Sequence, residues 1–177
     1  MNRSRRDVTG HLRAGAALAL VIAAFAAMLS GCGGGGGGVA YTASDLDTGE
    51  EVSVSSLRGG PVLLVSWATW CRECDEELAG LQEFAESDAA TGLQIVAVNL
   101  DAANVEDEIA AKVAEHGLTV DLWRDERNRF KREFGALGVP TTVLLDAEGE
   151  VAGTFPGAID FDQGEVLEAI EEVRLRS

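Results

Sequence analysis

Two cysteines three positions apart, Cys71 and Cys74, stand at the end of the stretch Trp67-Ala68-Thr69-Trp70-Cys71-Arg72-Glu73-Cys74. Thiols at that spacing can close a disulfide, hold part of a metal site or exchange electrons with another disulfide. As a structural staple the pair would do little, because closing so short a loop removes little entropy from the unfolded chain. A zinc site needs a second pair of ligands. Beyond residue 32 the chain has no further cysteine and a single histidine, His116. A redox pair remains, and it needs its first sulfur where a thiolate is stabilised. The unpaired amide groups at the start of a helix provide such a place.

The surrounding sequence supplies that position. Val62 to Trp67 is a continuous apolar run rich in β-branched residues, which predicts a buried central strand. Beyond Cys71, Leu78, Leu81, Phe84 and Ala85 recur at helical spacing, so a helix is predicted to about Ser87 and Cys71 falls in the turn before it. Upstream, Thr42 to Leu57 reads as an N-terminal hairpin around Asp47-Thr48-Gly49-Glu50. Downstream, a second buried strand over Leu93 to Leu100 precedes a helix that carries Val105, Ile109 and Val113 on one face and closes at Gly117. A short strand over Thr119 to Trp123 leads to a basic helix with Phe130 and Phe134, ending at Gly135. Thr141 to Leu145 and Val151 to Phe155 flank the turn residues Asp146-Ala147-Glu148-Gly149 as a second hairpin. A last helix is predicted from Asp162, with Glu165 closing a capping box, and buries Val166, Ile170 and Val173. The order ββ, β, α, β, α, β, α, β, β, α predicts an α/β sheet with helices on both faces.

With these residues in place the chain resembles the thioredoxin superfamily, and within it the TlpA-like and ResA-like membrane-anchored thiol-disulfide oxidoreductases. The resemblance rests on Trp67 to Cys74, on Glu77, and on Gly138-Val139-Pro140-Thr141-Thr142 with the apolar strand that follows, and spans about residues 42 to 175. It implies a thioredoxin-like three-layer α/β/α sandwich with an N-terminal β-hairpin and an extra strand-helix insertion before a cis-proline. It also implies roles: Cys71 attacks, Cys74 resolves and pairs with Cys71 as a disulfide, Glu77 moves protons, and Pro140 is cis beside the disulfide. Val139 and Pro140, with Trp70 at the rim, would bind an extended substrate by strand addition. The alternative for Glu77 is a solvated acid at the helix start, and for Pro140 a trans turn proline. Trp67 is expected in the core and His116 at the surface.

Two positions depart from the family pattern. Glu73 replaces the usual proline before the second cysteine, and Val65 stands where relatives carry a polar residue. The second change removes one proton route to the buried sulfur and makes Glu77 matter more. Glu73, Asp75, Glu76 and Glu77 crowd the first turns with negative charge against Arg72 alone, which disfavours the thiolate and predicts a reducing couple.

The remaining chain indicates where such chemistry would occur. The protein has 177 residues, 46% of them apolar, and a formal charge of −16, with 14 basic and 30 acidic side chains. Four of the arginines and one acid lie in residues 1–31, so the rest carries 10 basic and 29 acidic groups, a net of −19. That surface repels phosphate, and no nucleic-acid partner is expected. Residues 14–29 have neither charge nor hydrogen-bonding side chains, the pattern of a signal peptide over 1–31. Leu29-Ser30-Gly31-Cys32 resembles a bacterial lipobox, which would make Cys32 the lipidated first residue of the mature chain. Residues 32–40 then hold the lipidated cysteine and a tether, whose glycines Gly33 to Gly38 have a reach of about 13 Å, and 41–177 form the folded domain. The expected location is extracytoplasmic, lipid-anchored to the cell membrane at its periplasmic or outer face.

The expected function is reduction of protein disulfides, for example in apocytochrome c maturation, by a monomer without cofactor or metal that draws on a membrane-embedded electron donor. Two other classes compete. A peroxidase of the AhpC/TSA type needs a threonine three residues before its cysteine, where this chain has Ala68. A copper carrier of the Sco type separates its cysteines by three residues and adds a distant histidine, features not found here.

Overall fold

The computed structural model describes residues 37–161 and 164–176. The predicted signal peptide, the predicted lipidation site Cys32, most of the glycine tether and Asp162 lie outside the described residues. Among the described residues no helix is long and apolar enough to cross a membrane.

The strands are β1 (Thr42–Asp45), β2 (Glu51–Ser53), β3 (Val62–Trp67), β4 (Gln94–Asn99), β5 (Asp121–Arg124), β6 (Thr141–Leu145) and β7 (Val151–Pro156). The helices are α1 (Arg72–Ala85), α2 (Glu106–His116), α3 (Arg129–Phe134) and α4 (Gly164–Arg176). All seven strands join one sheet in the order β2-β1-β5-β4-β3-β6-β7. β3, β4 and β5 run parallel, and β6, β7 and the N-terminal hairpin run antiparallel to their neighbours. β5 and α3 lie between α2 and the proline segment.

The central strands read as apolar runs because helices cover both of their faces. Leu63, Val65 and Trp67 of β3 join Leu78, Leu81 and Phe84 of α1, Ile109 of α2 and Ile170 of α4 in one core. Val62 and Leu64 point the other way, into a core with Tyr41, Trp123, Phe130 and Phe134. Three helices thus lie on one face and α3 alone on the other, where Tyr41 fills space by packing at 5.2 Å on Phe134 and 5.8 Å on Phe130.

Local chemistry shifts some predicted boundaries. α1 stops at Ala85 rather than Ser87, because the Ser87 hydroxyl donates to the Phe84 carbonyl at 2.7 Å and ends the turn. β5 begins at Asp121 rather than Thr119, whose amide and hydroxyl are both engaged by the side chain of Gln82 on α1, at 2.8 and 2.9 Å. Gly135 closes α3 at φ +66°, a left-handed conformation that disfavours side chains, and so turns the chain toward Pro140.

Candidate active site

β3 delivers its C-terminal end to a short loop, residues 68–71, and Cys71 then caps α1. Its Sγ accepts the amide of Cys74 at 3.2 Å, one of the helix-start donors that would otherwise lack a partner. The Cys71 and Cys74 sulfurs form a disulfide, 2.11 Å apart, with Cα atoms 5.3 Å apart. Cys74 is 1% exposed and Cys71 8%, so both are buried and Cys71 is the more accessible of the two.

A buried carboxylate fixes the loop before Cys71. Asp101, just past β4, accepts the Thr69 amide at 2.7 Å and the Thr69 hydroxyl at 3.0 Å. Asn99 steadies Asp101 in turn, donating to it at 2.8 Å and accepting its amide at 3.1 Å. A buried carboxylate is tolerated where donors surround it. Asp101 is absent from the residues that the sequence singles out, although Asn-x-Asp at the end of a buried strand is a usable signal.

The antiparallel pairing of β3 with β6 brings the proline segment to the same end of the sheet as Cys71. Ser66 lies opposite Thr141 and both donates to the Thr141 carbonyl and accepts its amide, each at 2.9 Å. The Val139–Pro140 bond is cis, as the resemblance implied. Pro140 is buried, and its carbonyl accepts the Gly157 amide at 3.0 Å. Neither the amide nor the carbonyl of Val139 is hydrogen-bonded within the described residues. Trp67 is buried in the core, whereas Trp70 is 68% exposed and Leu137, three residues before Pro140, is 99% exposed.

Glu77 is not the solvated acid that its neighbours suggested. It is 2% exposed and lies one turn beyond Cys74 on the buried face of α1. Its Oε1 accepts the Thr142 hydroxyl and the Ile159 amide, each at 3.3 Å, while Oε2 is buried without a hydrogen-bond partner. Burial outweighs those two bonds and pushes the carboxyl up to about 7. A cleft of about 360 Å³ lined by Glu76, Glu77, Gly80, Glu83 and Ile159 opens beside it. Val65 is fully buried and contributes no titratable group.

The other acids of this turn differ from one another. Asp75 meets Lys112 Nζ at 2.6 Å and His116 Nε2 at 3.3 Å, both from α2, and the Lys112 hydrogen bond is the main cause holding its carboxyl below the usual range. His116 is therefore tucked against α1, its side chain only 10% exposed, rather than at the surface as expected. Glu73 and Glu76 remain exposed. Of the four acids counted in the sequence, one is ion-paired and one is raised toward neutrality, so the field opposing a thiolate is weaker than that count implied.

A cavity of about 900 Å³ lies between β1, β5 and α2, and neither Cys71 nor Pro140 lines it. Cys71 and Pro140 lie instead at the end of the sheet where α1 starts, a place where α/β folds commonly bind.

Residues 39–154 match the AhpC/TSA family. The chain is 32% identical over 120 residues to the thiol-disulfide oxidoreductase ResA of Geobacillus thermodenitrificans, covering 67% of each protein. It is 29% identical over 113 residues to ResA of Bacillus thuringiensis, covering 63% of this chain and 62% of that relative's length. The solved structure of StoA from Bacillus subtilis superposes with a TM-score of 0.60 at 24% identity, over 73% of this chain and 94% of the other, a likeness of fold.

Proposed function

The chain belongs to the AhpC/TSA family, and from that premise we propose that it is a thiol-disulfide oxidoreductase that reduces disulfides in proteins outside the cytoplasm. The observation that carries this reading is the Cys71–Cys74 pair at the start of α1, with the resolving sulfur buried one turn from a carboxyl poised near neutrality. In the dithiol form the Cys71 thiolate attacks a substrate disulfide and expels one substrate sulfur, leaving a mixed disulfide. Cys74 loses its proton to Glu77, directly or through water, and attacks Cys71 Sγ, releasing the second substrate sulfur and closing Cys71–Cys74. Two electrons pass to the substrate, whose two expelled thiolates take their protons from solvent, and Glu77 releases the Cys74 proton to that solvent through the adjoining cleft. An extended substrate pairs with the free backbone groups of Val139 beside Pro140, with Trp70 covering the rim.

The apolar run over residues 14–29 and the lipobox-like Cys32 support anchoring at the outer side of the cell membrane, with a membrane-embedded donor restoring the dithiol. Oxidised apocytochrome c is the substrate class that the resemblance suggests. The competing readings fit less well. Ala68 gives a peroxide no hydroxyl donor, and the neighbouring Thr69 hydroxyl is committed to Asp101. A copper carrier would need His116 at the sulfurs, and that ring sits on Asp75. The test is trapping: Cys74→Ser accumulates mixed disulfides with protein substrates and Cys71→Ser does not. The reverse pattern would overturn the assignment of roles, and no trapping by either would overturn the function.

A further inference from the structure

We propose that the Asp75–Lys112 ion pair sets the redox poise of the Cys71–Cys74 couple, Lys112 being a positioning residue that cancels a negative charge in the first turn of α1. The proposal rests on reading that couple as redox-active and adds to it a control supplied by a second helix. Reduction of the disulfide takes two electrons and leaves a thiolate on Cys71, at the helix start. Any uncompensated negative charge nearby raises the energy of that product and not of the disulfide. Asp75 directly follows Cys74 and carries such a charge. Lys112, one of only two lysines in the chain, reaches it from α2 at 2.6 Å.

The pair is built to matter more than an ordinary surface contact. Lys112 is 22% exposed and Asp75 38%, so water screens them less than it screens the exposed Glu73 and Glu76. His116, one turn further along α2, approaches the same oxygen at 3.3 Å. Lys112 also touches Glu115 at 3.1 Å, but that acid is 61% exposed and lies on α2 itself. α2 therefore presents a cation to Asp75, one of the two acids that flank the buried cysteine in sequence, and leaves the other, Glu73, exposed.

A structural contact and an electrostatic one predict different signs. If the pair only fastened α2 to α1, losing either partner would move the couple in one direction or not at all. If charge is what matters, the two losses move it oppositely. The experiment equilibrates the full-length protein, purified in detergent, with reduced and oxidised glutathione. Two glutathione thiols become one glutathione disulfide for each Cys71–Cys74 bond reduced, and alkylation reads the dithiol fraction. Lys112→Met should shift the equilibrium constant about threefold toward the protein disulfide, or about 14 mV more reducing. Asp75→Asn should shift it about threefold toward the dithiol, the double variant should return to the wild-type value, and Lys112→Arg should match wild type. Shifts of the same sign, or none, would overturn the proposal alone. A wild-type protein that does not equilibrate with glutathione would overturn the redox reading beneath it as well.

Discussion

The carboxyl of Glu77 on α1 accepts a hydrogen bond from the hydroxyl of Thr142, two residues beyond the cis-proline, across 3.3 Å. The acid one turn beyond Cys74 is thus tied to the strand that follows the proline segment. The tie is weak beside the cost of burial, and the carboxyl rises from an ordinary 4.5 to about 7. Its folded form therefore binds a proton more tightly than its unfolded form. The stability this gives is fully present below pH 4.5 and is lost as pH rises through 7, about 3 kcal/mol in all. Glu77→Gln should match wild type at pH 4 in urea unfolding and be the more stable protein at pH 8. Parallel pH profiles for the two proteins would contradict the burial of a titrating acid.

The same residue has a kinetic signature. Decay of a mixed disulfide on Cys71 requires a base for Cys74, so its rate should rise with pH through about 7 in the wild type. In Glu77→Gln it should be slower at pH 8 by on the order of 100-fold, with that inflection gone. Rapid-quench alkylation follows the decay, and an unchanged inflection would assign the base elsewhere.

Asp101 holds the loop before Cys71 through the amide and hydroxyl of Thr69. Asp101→Ala leaves those donors and Asn99 without their acceptor in a buried place, and should cost about 2–4 kcal/mol of stability in urea unfolding. A loss under 1 kcal/mol would mean that the loop is held by other contacts.

Much of this site is legible in the amino-acid sequence. Apolar runs mark β3, β4 and β6 because buried parallel and central strands show no alternation. Cys71 can be placed at a helix start because Leu78, Leu81 and Phe84 recur at helical spacing after it. The burial of Glu77 is hidden by its acidic neighbours. The face shared by Cys74, Glu77, Leu78 and Leu81 is nonetheless present in the spacing. The neutralisation of Asp75 by Lys112, 37 residues away, leaves no local pattern. The same is true of the hold of Asp101 on Thr69, and of the antiparallel docking of β1 on β5. Contacts of that kind come from how helices and strands meet, which periodicity within one element does not report.

Anchoring should depend on Cys32. Cys32→Ala should abolish incorporation of radioactive palmitate and release the protein from lipid attachment. Continued labelling of that variant would refute the lipobox reading.

The redox potential of the wild-type couple decides whether the protein donates electrons. Glu73 and Glu76 remain bare against Arg72, so the thiolate is not stabilised as it is in strong oxidants. Equilibration with glutathione or dithiothreitol, followed by alkylation, should place Cys71–Cys74 nearer the thioredoxin value, about −270 mV, than the DsbA value, about −120 mV. Glu73→Gln, which deletes one of the bare charges, should move it toward more oxidising values. A wild-type potential above about −180 mV, the level of protein disulfide isomerase, would contradict a protein that donates electrons.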